Sequence, residues 1–167
     1  MAVLTSALGA LFALTFAQAL ASTYPTATTN NGTYVGLHNS TTELDYFLGV
    51  PFAQPPVNNL RFRNPVPLNT SWVDTHSAQT IGDSCIGYGG DDAGLTPSED
   101  CLNLNIIRPA GNHSEALPVA VWIYGGGYYE GSANRPAYNQ TRFVQNSVNM
   151  GMPIIGIGIN YRLLAFG

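Results

Sequence analysis

The apolar residues of this chain gather into a few short runs, and the segments between them are dominated by Gly, Pro, Asn, Ser and Thr. The first run, VLTSALGALFALTFAQAL, lies within residues 1–21, which carry no charged side chain. Ala17-Gln18-Ala19 and Ala19-Leu20-Ala21 both fit a small-x-small cleavage pattern. Interrupted by Thr5, Ser6, Thr15 and Gln18, the run is short for a membrane span, so it predicts a cleaved leader over 1–21 and no stable membrane anchor. Residues 22–167 then form one domain portion. TYVGLHNS and TELDYFLGV predict two strands joined by a polar turn at Asn39 to Thr42, an antiparallel hairpin. VPFAQPPVNNLRFRNPVPL, with five prolines and no periodicity, predicts an extended surface connection. CLNLNIIRP, LPVAVWIYGG and MPIIGIGINYR predict three more strands, the second a short buried one over 119–123. Between the last two, Tyr138, Phe143, Val144 and Val148 recur at near-helical spacing, with Pro136 where a helix starts and Gly151 where it ends. Strand, glycine-rich turn, helix, strand is a βαβ unit, which implies parallel pairing and a right-handed crossover.

The turn of that unit raises the chemical question. Val119 to Ile123 stop at Gly125, Gly126 and Gly127, where the lack of side chains lets bare backbone N–H groups approach another atom closely. An anion is the natural occupant, either a phosphate or the oxyanion of an acyl-transfer reaction. The phosphate motifs fail: the sixth position counted from Gly125 is Glu130, and the chain has no lysine for a G-x-x-x-x-G-K-[ST] loop. A tight core turn needs one glycine, not three.

Composition narrows the partners. Six arginines against ten acids give a formal net charge of −4, with 45% hydrophobic and 10% charged residues. No basic footprint exists, which argues against nucleic acid as a partner. Asn31, Asn39, Asn69, Asn112 and Asn139 each open an N-x-[ST] glycosylation sequon, in keeping with a secreted, extracellular protein. The two cysteines, Cys85 and Cys101, flank the polar, glycine-rich stretch IGYGGDDAGLTPSED and predict a disulfide in an oxidising compartment. Closing a loop of that size is worth about 3 kcal/mol in the chain-entropy model.

Four stretches then carry a resemblance: FLGVPFAQPPVNNLRF at 47–62, SEDCLNLNIIRP at 98–109, VAVWIYGGGYYEGSA at 119–133 and GINYRLLAFG at 158–167. In this order they resemble the N-terminal part of the type-B carboxylesterase/lipase family, which includes fungal lipases, carboxylesterases and cholinesterases. SEDCLNLN is close to a diagnostic signature of that family. The resemblance implies an incomplete α/β-hydrolase fold, in which the hairpin leads into a mainly parallel sheet with a crossover helix. It also implies hydrolysis of a small-molecule or lipid carboxylic ester by a serine, histidine and acid triad, with no cofactor and no metal. On this reading the backbone N–H groups of Gly126 and Gly127 are oxyanion donors. Gly125 lets the loop turn, and Tyr124 and Tyr128 pack beside the acyl group. The family's pairing of the SEDCL glutamate with the first arginine of RFR carries over to Glu99 and Arg61. Charged groups in apolar company are costly to bury unless paired.

The nucleophile itself is not among these residues, since no G-x-S-x-G elbow occurs. The nearest decoy is Ser84 in GDSCIG, expected in a surface loop. His38, His76 and His113 all precede the glycine turn in polar contexts, whereas this fold orders its triad serine, acid, histidine. The reading is therefore the front of an ester hydrolase, truncated before its elbow and inactive alone. The alternative is a non-catalytic secreted or adhesion-type module of the same fold. Asn58 stands at a turn where the family generally has glycine, and asparagine tolerates the same left-handed conformation. Leu164 stands where a small residue is common. No tryptophan lies between Cys85 and Cys101, where cholinesterases keep one for the choline cation, which argues against a choline ester.

Overall fold

The computed structural model of the chain describes residues 24–111 and 113–167. The leader expected over 1–21 and the sequon at Asn112 lie outside the described residues. Three strands form first: β1 (Thr26–Thr28), β2 (Thr33–Val35) and β3 (Leu37–Asn39). The stretch read as one strand from Thr33 to Ser40 is broken at Gly36, where a Cβ would sit 2.3 Å from the Tyr46 carbonyl oxygen. The chain thereby leaves a small sheet, ordered β1-β2-β5 with β5 at Thr75–Ser77, and enters a larger one. β3 and β4 (Leu44–Pro51) form the hairpin, and the Asn39 side-chain oxygen accepts the N–H groups of Thr41 and Thr42 in its turn. The proline-rich connection that follows is irregular, with a single 3-10 turn at Asn58–Leu60. Asn58 has φ 51°, the left-handed conformation that the turn demands.

Two short strands, β6 (Ser84–Cys85) and β7 (Pro97–Ser98), pair at the base of the loop closed by Cys85 and Cys101. β8 (Asn103–Pro109), β9 (Val119–Ile123) and β10 (Ile155–Ile159) complete the large sheet, ordered β3-β4-β8-β10-β9. The sheet is mixed: β3, β4, β8 and β10 pair antiparallel in turn, and β10 pairs parallel with β9. In place of a mainly parallel sheet, the described strands thus contain one parallel pair in this sheet, and it belongs to the βαβ unit.

The crossover helix α1 spans Thr141–Asn149, and Pro136 opens a separate 3-10 turn (Pro136–Tyr138) rather than the helix. Gly151, at φ 70°, follows the helix end. Of the apolar stripe expected on α1, Val144 is fully buried against Leu44 and Ile107, while Phe143 and Val148 remain exposed. β9 also differs from expectation. Val119, Val121 and Ile123, on one face of the sheet's edge strand, are each more than half exposed, while on the other face Trp122 packs against Tyr138 with ring centroids 5.5 Å apart. Apolar residues on both faces are the mark of a strand covered from both sides. The remaining core is divided among Tyr34, Phe47 and Ala78 on one side of the hairpin, the disulfide with Ala53 and Leu102, and Tyr124, Ala133 and Leu163.

Candidate active site

The end of β9 runs directly into the site. Tyr124 is buried and stacks on Tyr161 with ring centroids 4.3 Å apart. Each phenol donates to the other residue's backbone carbonyl at 2.8 Å. Burial is the main cause pushing the Tyr124 phenol well above its ordinary value. This clasp fixes the point from which the loop departs. Gly126 (φ 138°), Gly127 (φ 60°), Tyr128 (φ 63°) and Gly131 (φ 105°) then take positive φ. The Gly126 carbonyl accepts the N–H groups of Tyr129 and Glu130, both at 3.1 Å. A Cβ at Gly126 would lie 2.1 Å from the Glu130 carbonyl oxygen, and one at Gly127 would lie 2.7 Å from the Tyr129 ring. Gly125 needs neither freedom: its φ is not positive and a Cβ there would meet nothing within 4 Å. The turn assigned to Gly125 is thus made by Gly126 and Gly127.

Among the described residues no acceptor takes the N–H of Gly126 or Gly127. Both glycines line an open cleft of about 340 Å³ together with Gly125, Tyr124, Tyr128, Ile123 and Tyr161. Tyr128 is largely exposed at its rim, and Tyr124 contributes to the lining while held in the clasp with Tyr161. A pair of unsatisfied backbone donors beside a cleft can receive an anionic oxygen.

The loop is held from outside. Leu164, itself at φ 57°, donates its N–H to the Tyr128 carbonyl at 2.9 Å. From the disulfide loop, Tyr88 N–H reaches the Tyr129 carbonyl at 2.7 Å, and the Asp92 carboxylate accepts the Gly131 N–H at 3.0 Å. Glu130 accepts the Asp91 N–H at 3.1 Å, and Asp91 also forms an ion pair with Arg135. Beneath lies a buried polar network. Ser132 donates to Asn160 Oδ1 at 3.0 Å, Ala133 N–H donates to the same oxygen at 2.9 Å, and Asn160 Nδ2 donates to Asn103 Oδ1 at 3.2 Å. Ser132, Asn134, Asn160 and Asn103 escape a sequence reading that looks for catalytic residues. Their only signal is polar side chains set directly against apolar runs, as in IGIGINYR.

Ser84 is not in a surface loop. It is buried in β6, 2.8 Å from Ser132 Oγ, and accepts from Asn134 Nδ2 at 3.2 Å. Its hydroxyl is a structural member of that network. His38 lies 3.0 Å from Asp45, which Arg108 also contacts. His76 stacks on Trp72 with centroids 4.1 Å apart, and His113 Nε2 lies 3.4 Å from the Pro109 carbonyl. No histidine lines the cleft. Cys85 and Cys101 are disulfide-bonded with Cα atoms 4.9 Å apart. Arg61 donates through Nε and an Nη to the two oxygens of Glu99, a bidentate pair. Among the described residues no group of three His, Cys, Asp or Glu could hold a metal ion.

Residues 23–167 match the sequence model of the carboxylesterase family. This chain belongs to the carboxylesterase family. It is 40% identical to Lipase 5 of Diutina rugosa over 166 residues, covering 86% of this chain and 29% of that protein. It is 37% identical to Lipase 2 of Geotrichum candidum over 153 residues, covering 75% of this chain and 27% of the relative. Among solved structures, a PNB esterase superposes with a TM-score of 0.73 at 32% identity, over 85% of this chain and 28% of that one. The chain thus spans less than a third of the length of these relatives. Within the family its architecture is a partial α/β-hydrolase fold, and the family chemistry is hydrolysis of carboxylic esters.

Proposed function

We propose that residues 22–167 form the oxyanion-hole portion of a secreted carboxylic ester hydrolase, exported by a leader over 1–21, whose serine nucleophile, acid and histidine lie outside these 167 residues. The observation that carries this reading is the pair of unaccepted N–H groups at Gly126 and Gly127, two residues that line a cleft at the end of a parallel strand. When a serine oxygen attacks an ester carbonyl, the carbon–oxygen π electrons move onto the carbonyl oxygen. Donors already aimed at that oxygen stabilise the charge without reorganising. The histidine takes the serine proton and returns it to the departing alkoxide. Loss of one such donor raises the barrier by about 3 to 4 kcal/mol.

The pocket beside the donors is lined by Gly125, Tyr124 and Tyr128 and accepts a small-molecule or lipid ester. The absence of a tryptophan between Cys85 and Cys101 disfavours a choline ester. No helix among the described residues is long and apolar enough to cross a membrane. The test is sequencing of the transcript that encodes the chain, followed by labelling of its product with a serine-directed fluorophosphonate. The expected result is an in-frame G-x-S-x-G downstream of Gly167 and one labelled serine within it. A transcript that carries no elbow, with no labelled serine in its product, contradicts the reading and favours a non-catalytic module.

A further inference from the structure

Four of the five sequons lie among the described residues, and their side-chain amides do different things. In Asn39, Asn69 and Asn139 only the carbonyl oxygen is engaged. Asn39 Oδ1 accepts from Thr41 and Thr42, Asn69 Oδ1 accepts from Gln54 Nε2 at 3.1 Å, and Asn139 Oδ1 accepts from Thr141 N–H at 2.8 Å. All three side chains are exposed, and no acceptor among the described residues takes their Nδ2 hydrogens. Asn31 is the reverse. It is half-buried in the β1–β2 turn, and its Nδ2 donates to the Thr70 carbonyl at 2.8 Å and the Leu68 carbonyl at 3.4 Å. Trp72 closes over the same turn, its backbone N–H donating to the Asn31 carbonyl at 2.8 Å and its indole N–H to the Thr33 carbonyl at 3.4 Å. A Cβ added at Gly32 would lie 2.3 Å from the Trp72 ring.

We propose that Asn39, Asn69 and Asn139 are the sites that carry N-linked oligosaccharide in the folded protein, and that Asn31 stays unmodified as a donor locking segment 68–72 onto the β1–β2 turn. The proposal rests on the export reading above. Glycan transfer breaks the C1–O bond of a lipid-pyrophosphate-linked oligosaccharide and forms a C1–Nδ2 bond. One Nδ2 proton is lost and the lipid pyrophosphate leaves. At Asn39, Asn69 and Asn139 the hydrogen given up was making no intramolecular bond. At Asn31 both hydrogens are used, so a sugar would remove one bond and would have to fit where segment 68–72 already lies.

The experiment expresses the chain with its own leader in a yeast secretory host. The soluble product is treated with peptide N-glycosidase in heavy-oxygen water, which converts each formerly glycosylated asparagine to heavy-oxygen aspartate for mass spectrometry. Label at Asn39, Asn69 and Asn139 and none at Asn31 is the expected result. On gels, Asn39→Gln, Asn69→Gln and Asn139→Gln each lose one glycan step, and Asn31→Gln loses none but lowers the secreted yield. Thr33→Val removes the Asn31 sequon while keeping its amide, and leaves both mobility and yield unchanged. Label at Asn31 comparable to that at Asn39, in product carrying the Cys85–Cys101 disulfide, overturns the proposal, as does a mobility step lost with Thr33→Val. Absence of label at all four positions overturns it through the export reading, a distinct signature.

Discussion

An added methyl at Gly126 would lie 2.1 Å from the Glu130 carbonyl oxygen on a backbone at φ 138°, whereas one at Gly125 would meet nothing within 4 Å. Gly126→Ala is therefore expected to lower the unfolding free energy by about 2 kcal/mol, through overpacking and a disfavoured backbone conformation. Gly125→Ala is expected to raise it by about 0.5 kcal/mol by restricting the unfolded chain. Urea unfolding of the two variants beside the parent chain measures the contrast. Three consecutive glycines read alike in the sequence, since their difference lies in the carbonyls and rings that surround each one. Tyr124 carries a second residue-scale prediction. Its phenol is charged only when deprotonated, and burial holds its folded value above the unfolded value of about 10. The unfolded chain therefore releases the proton first, and stability falls as pH rises from about 10 through the folded value. Tyr124→Phe is expected to flatten the loss of stability between pH 9 and 11, read by urea unfolding at each pH. An unchanged slope would contradict the assignment.

Among the elements, the disulfide loop gains a role beyond its own closure, because Tyr88, Asp91 and Asp92 tether the glycine loop to it. Replacing both Cys85 and Cys101 by Ala is expected to lower stability by about 3 kcal/mol, read as a shift of the urea midpoint. The hairpin, the three later strands and the crossover helix were legible from apolar runs and their Gly, Pro and Asn punctuation. The burial of those elements was not. VAVWI predicts a strand correctly, but exposure depends on what lies against it, and a local window holds no such information. The same holds for Phe143 and Val148, which share helical spacing with Val144 yet remain exposed. The polar, glycine-rich neighbours of Ser84 predict a surface position for it. Its burial arises from Ser132 and Asn134, 48 and 50 residues further along the chain. The glycine turn was legible because its signal is local, a strand followed at once by bare backbone. Its supporting network was not, because it joins residues distant in sequence.

For the molecule as a whole, β9 is an exposed apolar strand at the edge of the sheet. Unblunted edges of this kind template intermolecular pairing. The 167-residue chain is expected to self-associate with rising concentration, and Val121→Lys to shift it toward monomer, as size-exclusion chromatography with light scattering would show. Gly126 and Gly127 are proposed to serve an ester hydrolysis whose nucleophile lies outside these residues. The most direct test is turnover of a short-chain nitrophenyl ester by the product of the full reading frame, by its Gly126→Val variant and by the 167-residue chain. Phosphonate-sensitive turnover in the first, reduced roughly a hundredfold or more in the second and indistinguishable from background in the third, is the predicted result. Robust, phosphonate-sensitive turnover by the 167-residue chain, or full activity in Gly126→Val, would contradict it.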